Sequence, residues 1–193
     1  MKKDGFEEIA TIEEIKIETI KNINWSNTPV DLKILENYIK NMPPELKGCV
    51  KKITIYDIYN PYDPYWTVEY KNGNDFYSGC TGGGEKINIY ATLNGYPNAE
   101  FGEILHEAGH NYDYAKAPEG YGALSGTPEW ENAMINDSQI NNNVIGVTPY
   151  ATQAKNASNT NIEDFADSVR LYYIDPEAFA KKYPNRYAIL SSI

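Results

Sequence analysis

Ile104-Leu105-His106-Glu107-Ala108-Gly109-His110 holds both histidines of the 193-residue chain, four positions apart. In an α-helix, residues four apart lie on one face, one turn above the other. His106 and His110 can then converge on a single metal ion, with Glu107 on the flank of that face, close enough to act on a metal-bound water. This is the H-E-x-x-H arrangement, in which two imidazoles bind zinc and the glutamate serves as general base. Phe101, Ile104, Leu105, Ala108 and Tyr112 recur at helical spacing on the opposite side. The stretch therefore reads as a helix with one apolar face and one chemical face. The competing reading, two histidines meeting on a packed helix by chance, would have to match identity, spacing and amphipathic phase together.

A catalytic zinc takes three protein ligands and keeps one position open. With no third histidine, the extended H-E-x-x-H-x-x-G-x-x-H type is excluded, and Asp113 stands where that motif has its glycine. Cys49 and Cys80 both lie well upstream, and no C-x-x-C spacing exists. The downstream carboxylates Glu119, Glu129, Glu131, Asp137, Glu163, Asp164 and Asp167 remain. Glu163 is favoured because residues 162–173 form a strong amphipathic pattern, with Phe165, Val169 and Tyr172 on one side, which fixes its aim. Asp167 lies four residues on, hence on the same face, where it can accept the free N–H of a ligating histidine and orient the ring. Against the ligand role stands a capping box, Thr160-x-x-Glu163, in which Glu163 only satisfies the helix start.

The rest of the chain reads as scaffold for one compact domain over 1–193. Residues 1–48 are expected to hold two helices. The first covers 6–21, with Phe6, Ile9, Ile12, Ile15 and Ile20 near a turn's spacing. The second has Thr28 as N-cap, Pro29 at its first position and Asp31 in its first turn. Val30, Ile34, Leu35, Tyr38 and Ile39 form its apolar side, and Pro43-Pro44 ends it. Residues 49–113 are expected to hold short strands and the metal helix, with strands at 50–59, 66–70, 76–77 and 87–90 and a hairpin turn at 71–74. Gly82-Gly83-Gly84 fails as a phosphate loop, because Glu85 stands where lysine is needed, and is read as a flexible loop beside a cleft. Residues 114–193 carry the third ligand. There 115–150 is read as loop with one short helix at 129–135, followed by the 162–173 helix and a last helix from Pro176 to about Tyr183. The fold class is α+β, a small twisted mixed sheet of about four strands packed on the metal helix.

Hydrophobic content of 41% and charged content of 23% suit a packed core. A net charge of −10 argues against nucleic acid and anionic membrane as partners, since both require clustered Lys and Arg. No apolar run reaches transmembrane length. Met1-Lys2-Lys3-Asp4-Gly5 has no hydrophobic segment behind it, which suits a cytosolic chain or the mature form of an exported one. A monomer is expected. Cys49 and Cys80 read equally as a disulfide pair or as two reduced thiols.

His106-Glu107-Ala108-Gly109-His110 together with Glu163-Asp164-Phe165-Ala166-Asp167 resembles the gluzincin metallopeptidases. The chain is more closely similar to the catalytic domain of anthrax lethal factor and to the secreted bacterial Pro-Pro endopeptidases, from about residue 50 to about 190. The resemblance implies a zincin-like fold, one Zn2+ per chain, Glu163 as third ligand and secretion. It also implies a tyrosine shortly before Glu163 that donates its hydroxyl to the developing oxyanion. Tyr150, in Thr148-Pro149-Tyr150-Ala151, matches, with Tyr121 as fallback. The family separates that tyrosine and glutamate by about two helical turns, whereas residues 152–162 lengthen the gap here, as if a short polar loop were inserted.

The implied activity is a zinc-dependent endopeptidase. Glu107 takes the proton from the attacking water and returns it to the leaving amine. A polypeptide substrate would add by backbone hydrogen bonds to residues 87–90 as an edge strand. The aromatic residues between Tyr56 and Trp66 would wall a site for proline rings, unless Trp66 is core. Glu103 and Asp113 share the metal-facing side of the helix, as partners of the site or as solvated positions. Two alternatives stand beside this reading. One is a non-catalytic binding module or toxin subunit that keeps its metal for structure. The other is a metal-dependent hydrolase acting on non-peptide substrates.

Overall fold

The computed structural model describes residues 5–28, 30–62, 79–90 and 100–193. Within them the chain is α+β, with a five-stranded mixed sheet and eight α-helices. The first two elements differ from the expected N-terminal helix. β1 (Phe6–Ile12) and β2 (Ile15–Ile20) form an antiparallel hairpin. Ile15 and Ile17 are buried on either side of the exposed Lys16, the period of a strand. The turn is Glu13-Glu14, both at positive φ (46° and 70°). Hairpin turns of that geometry usually carry Asn or Gly, so the sequence holds no turn signal to divide the isoleucine run. α1 (Leu32–Asn41) forms as expected but is capped by Asp31, whose side chain accepts the Ile34 N–H at 2.8 Å. Thr28 is not the cap; its hydroxyl donates to the Trp25 carbonyl. Pro29 lies outside the described residues. α2 (Pro44–Lys47) follows.

β3 (Lys52–Ile55), β4 (Cys80–Gly83) and β5 (Lys86–Ile89) complete the sheet in the order β1-β2-β3-β5-β4. β2, β3 and β5 are parallel, and the outer strands β1 and β4 run antiparallel to their neighbours. Two expectations change here. The strand at 87–90 is interior, paired with β3 on one side and β4 on the other, so it is no edge for a substrate. The glycine run is the end of β4 and a two-residue turn at Gly84-Glu85 (φ 60° and 62°), not a flexible loop. The strands expected at 66–70 and 76–77, and the turn between them, lie outside the described residues.

Register explains which face of the sheet is covered. Ile17 pairs with Ile53, Ile53 with Ile87, and Ile87 with Gly82, so these positions form one row on one face. The three isoleucines have no exposed surface, each worth about 1.5–3 kcal/mol against an exposed state. A one-residue slip would turn the row to the other face. There Thr54 donates to Glu18 at 3.1 Å and Lys52 pairs with Glu18 at 2.6 Å.

α3 (Phe101–Ala115) lies against the apolar face and is buried from Ile104 to Asp113. The C-terminal part is more helical than expected. It contains α4 (Pro128–Ile140), α5 (Pro149–Ser158), α6 (Ile162–Ile174), α7 (Pro176–Lys182) and α8 (Pro184–Leu190). The supposed polar insertion at 152–162 is largely α5. Pro128, Pro149, Pro176 and Pro184 all stand in the first turn of a helix. Proline is tolerated there because that N–H has no helical partner in any case. Pro128, Pro149 and Pro184, read as loop or break, are therefore starts, and Pro176 opens its helix as expected. Cys49 and Cys80 are buried, and no disulfide joins them. Among the described residues, no helix is long and apolar enough to cross a membrane.

Candidate metal centre

Two helices build the site. α3 opens with a reciprocal capping box between Glu100 and Glu103, which fixes its start two turns before the histidines. α6 crosses α3 at Gly109, where an added Cβ would stand 3.1 Å from the Cα of Ala166 and 3.2 Å from the Cβ of Val169. The close approach brings Glu163, one turn before Ala166, onto the histidine face. Nε2 of His106 and Nε2 of His110 are 3.1 Å apart. Oε2 of Glu163 is 3.2 Å from the first and 3.4 Å from the second. One ligand atom from each residue lies within 4.8 Å of the others, the one group of this kind among the described residues.

The other candidate carboxylates go elsewhere. Glu119, Glu129 and Glu131 are exposed, and Glu131 pairs with Lys155 at 3.3 Å. Asp113 is fully buried and accepts the backbone N–H and the hydroxyl of Ser125, each at 2.7 Å. Asp137 and Asp164 flank Arg186, which has no exposed surface. Its Nη1 lies 3.2 Å from Asp137 and its Nε 2.9 Å from Asp164. This ion cluster ties α8 to α4 and α6, and nothing in local sequence pattern announces it. The alternative capping box at Thr160 does not form, because Asn161 occupies the N-cap of α6.

Asp167 makes the hydrogen bond to His106 that was expected of it. Its Oδ1 accepts the Nδ1–H of His106 at 2.8 Å and contacts Nη2 of Arg170 at 2.8 Å. Its Oδ2 accepts the hydroxyl of Thr148. Arg170 and Thr148 are partners that no local pattern singles out, although Arg170 is one turn after Asp167 on the same helix. Burial opposes the charge of Asp167, yet the hydrogen bond from His106, with Arg170 and Thr148, holds its pKa below the usual value. For His106, burial pushes the pKa down, but the Asp167 and Glu163 carboxylates outweigh it and leave it well raised. Glu163 is likewise desolvated, and the two imidazoles overcome this to hold it far below the carboxylate range.

Beside the cluster runs a cleft of about 550 Å³, lined by His106, Glu107, Tyr150, Glu103, Cys80 and Arg170 among others. Glu107 is 8% exposed. Burial raises its pKa, with His106 and His110 pulling against that rise. β4 lies directly over it, for a Cβ on Gly82 would stand 2.3 Å from the Glu107 carbonyl oxygen. Only glycine permits that contact between strand and helix. Tyr150 stands in the first turn of α5, its ring centroid 6.3 Å from that of His106. Tyr121 is exposed and is not among the described lining residues. Glu103 lines the cleft while its carboxylate accepts the Glu100 N–H at 3.0 Å. Tyr56 stacks on Tyr90 with centroids 4.9 Å apart, away from the described lining. Trp66 lies outside the described residues.

No protein-family model matches the chain, and no curated protein matches it. What the site can do follows from its own groups. Two imidazole nitrogens and a carboxylate oxygen converge as a donor set for a divalent cation, with the buried Glu107 side chain beside them and a cleft reaching both.

Proposed function

We propose that this chain is a zinc-dependent endopeptidase of the gluzincin type on a zincin-like fold. The observation that carries the reading is the convergence of His106, His110 and Glu163 at a cleft that also holds Glu107. The donor set fits zinc. Ligand atoms about 2.0 Å from a tetrahedral zinc stand about 3.3 Å from one another. The three separations here are 3.1, 3.2 and 3.4 Å. Two histidines and a glutamate are also the ligand set of a catalytic rather than a closed structural zinc site.

When bound, zinc supplies a Lewis acid that brings the pKa of a coordinated water toward neutrality. The chain's own groups do the rest. Asp167 holds the Nδ1–H of His106, so Nε2 presents its lone pair to the metal position. Glu107 takes the proton of the attacking water and delivers it to the leaving amine. Its raised pKa suits proton exchange nearer neutral pH than an exposed glutamate allows. The Tyr150 hydroxyl donates to the oxygen that gains charge as the carbonyl becomes tetrahedral. The peptide lies along β4, the terminal strand of the described sheet, directly above α3. The resemblance to the Pro-Pro endopeptidases makes proline-rich segments the substrates to try first.

The test is to titrate the metal-free chain with zinc and present the product with a peptide library, with and without chelator. One equivalent of zinc and chelator-sensitive cleavage are expected. Bound zinc with no cleavage would leave the non-catalytic binding module instead.

A further inference from the structure

Thr148 touches two parts of the site that the chain keeps apart. Its Oγ1 accepts the Ala151 N–H at 3.1 Å and caps α5. The same hydroxyl donates to Oδ2 of Asp167. A hydroxyl has one proton and two lone pairs, so both bonds form at once. The other oxygen of that carboxylate is held by His106 and Arg170, each at 2.8 Å. Tyr150 follows two residues after Thr148, in the turn that Thr148 caps, and Thr148, Tyr150 and His106 all line the cleft.

An ordinary cap does not look like this. Thr127 caps α4 by the same acceptor bond, but its proton goes to the backbone carbonyl of Leu124. The proton of Thr148 goes instead to the buried carboxylate that orients a histidine.

We propose that Thr148 is a positioning residue that couples the aim of Tyr150 to the orientation of His106. The inference rests on the metallopeptidase reading. Loss of the hydroxyl frees the start of α5, and with it Tyr150. It also leaves one oxygen of Asp167 without the donor that fixes its rotation, so His106 loses its alignment as well.

Three variants test this. Thr148→Ser keeps both bonds. Thr148→Val keeps the shape and loses both. Thr148→Asp can cap the helix but has no proton to give. For each, the zinc dissociation constant is measured with zinc alone against a chromophoric chelator, beside the unfolding midpoint of the metal-free chain and kcat and KM on a cleaved peptide. The serine variant is expected to match wild type. The valine and aspartate variants are expected to bind zinc about tenfold more weakly or worse, the scale of lost support to a metal ligand, with kcat falling more than KM rises. A role in capping alone would lower the midpoint of the valine variant and leave zinc binding unchanged. A wild-type zinc constant in either the valine or the aspartate variant overturns the inference. If wild type binds no zinc, the metallopeptidase reading fails and this inference with it. If wild type binds zinc and those variants bind it equally, only this inference fails.

Discussion

Nδ1 of His106 stands 2.8 Å from Oδ1 of Asp167, a residue 61 positions later on another helix. The bond fixes the tautomer that leaves Nε2 free to bind a metal. In Asp167→Asn the amide keeps the shape but accepts more weakly and gives Arg170 no charge to pair with. Zinc affinity is expected to fall about 10–100-fold, read by chelator competition on a chain whose circular dichroism is unchanged. An unaltered dissociation constant would show that His106 needs no such support.

Gly109 is expected to control how closely α6 approaches α3. In Gly109→Val the added methyls meet the backbone of Ala166 and the side chain of Val169. Overpacking of this kind costs about 1–3 kcal/mol, and α6 can relieve it only by moving Glu163 away from the histidines. Unfolding of the metal-free chain in urea and zinc titration should therefore weaken together. A variant that loses stability yet binds zinc normally would mean that something other than this contact delivers Glu163.

Arg186 is fully buried between Asp137 and Asp164. Replacing it with methionine leaves two desolvated carboxylates facing each other without a cation. Breaking a buried ion cluster in this way costs about 3–5 kcal/mol. Urea unfolding of Arg186→Met measures it, and a loss below about 1 kcal/mol would contradict the buried-cation role.

Burial raises the Cys49 thiol, and it raises the Cys80 thiol well above its ordinary value, with Glu107 and Glu103 adding to the latter. A raised pKa means less thiolate at any pH below it, and the thiolate is the reactive form. Alkylation at pH 8 is expected to be slow for the native chain and rapid for both cysteines once it is unfolded. Rapid labelling of either thiol in the native chain would contradict their burial.

The helix that carries both histidines and the placement of Glu163 beside them were legible because each rests on local spacing: a four-residue step from His106 to His110 on α3, and an amphipathic phase on α6 that fixed the aim of one carboxylate. What escaped depended on tertiary context. The isoleucines of residues 6–20 fit a helix until the Glu13-Glu14 turn, which lacks the usual glycine or asparagine, breaks the run into two strands. The strand at 87–90 read correctly as a strand, but its place inside the sheet is decided by β3 and β4, which no local pattern reveals. Pro128 and Pro149 looked like loop and Pro184 like a break, and all three open helices, as Pro176 was expected to. Arg186, Arg170 and Thr148 were invisible because their partners lie on other turns or other helices. Gly109 and Ala166 did leave a signal, a small residue in the middle of each helix, and such pairs mark a close crossing.

The most direct test of the proposed chemistry compares wild type with Glu107→Gln at equal zinc occupancy, both incubated with a peptide library and read by mass spectrometry. The expected result is a full equivalent of zinc in each, chelator-sensitive cleavage by wild type, and a loss of about 10²–10⁴-fold or more in the variant. Zinc-loaded wild type that leaves every peptide intact, or a glutamine variant that cuts at the wild-type rate, would contradict it.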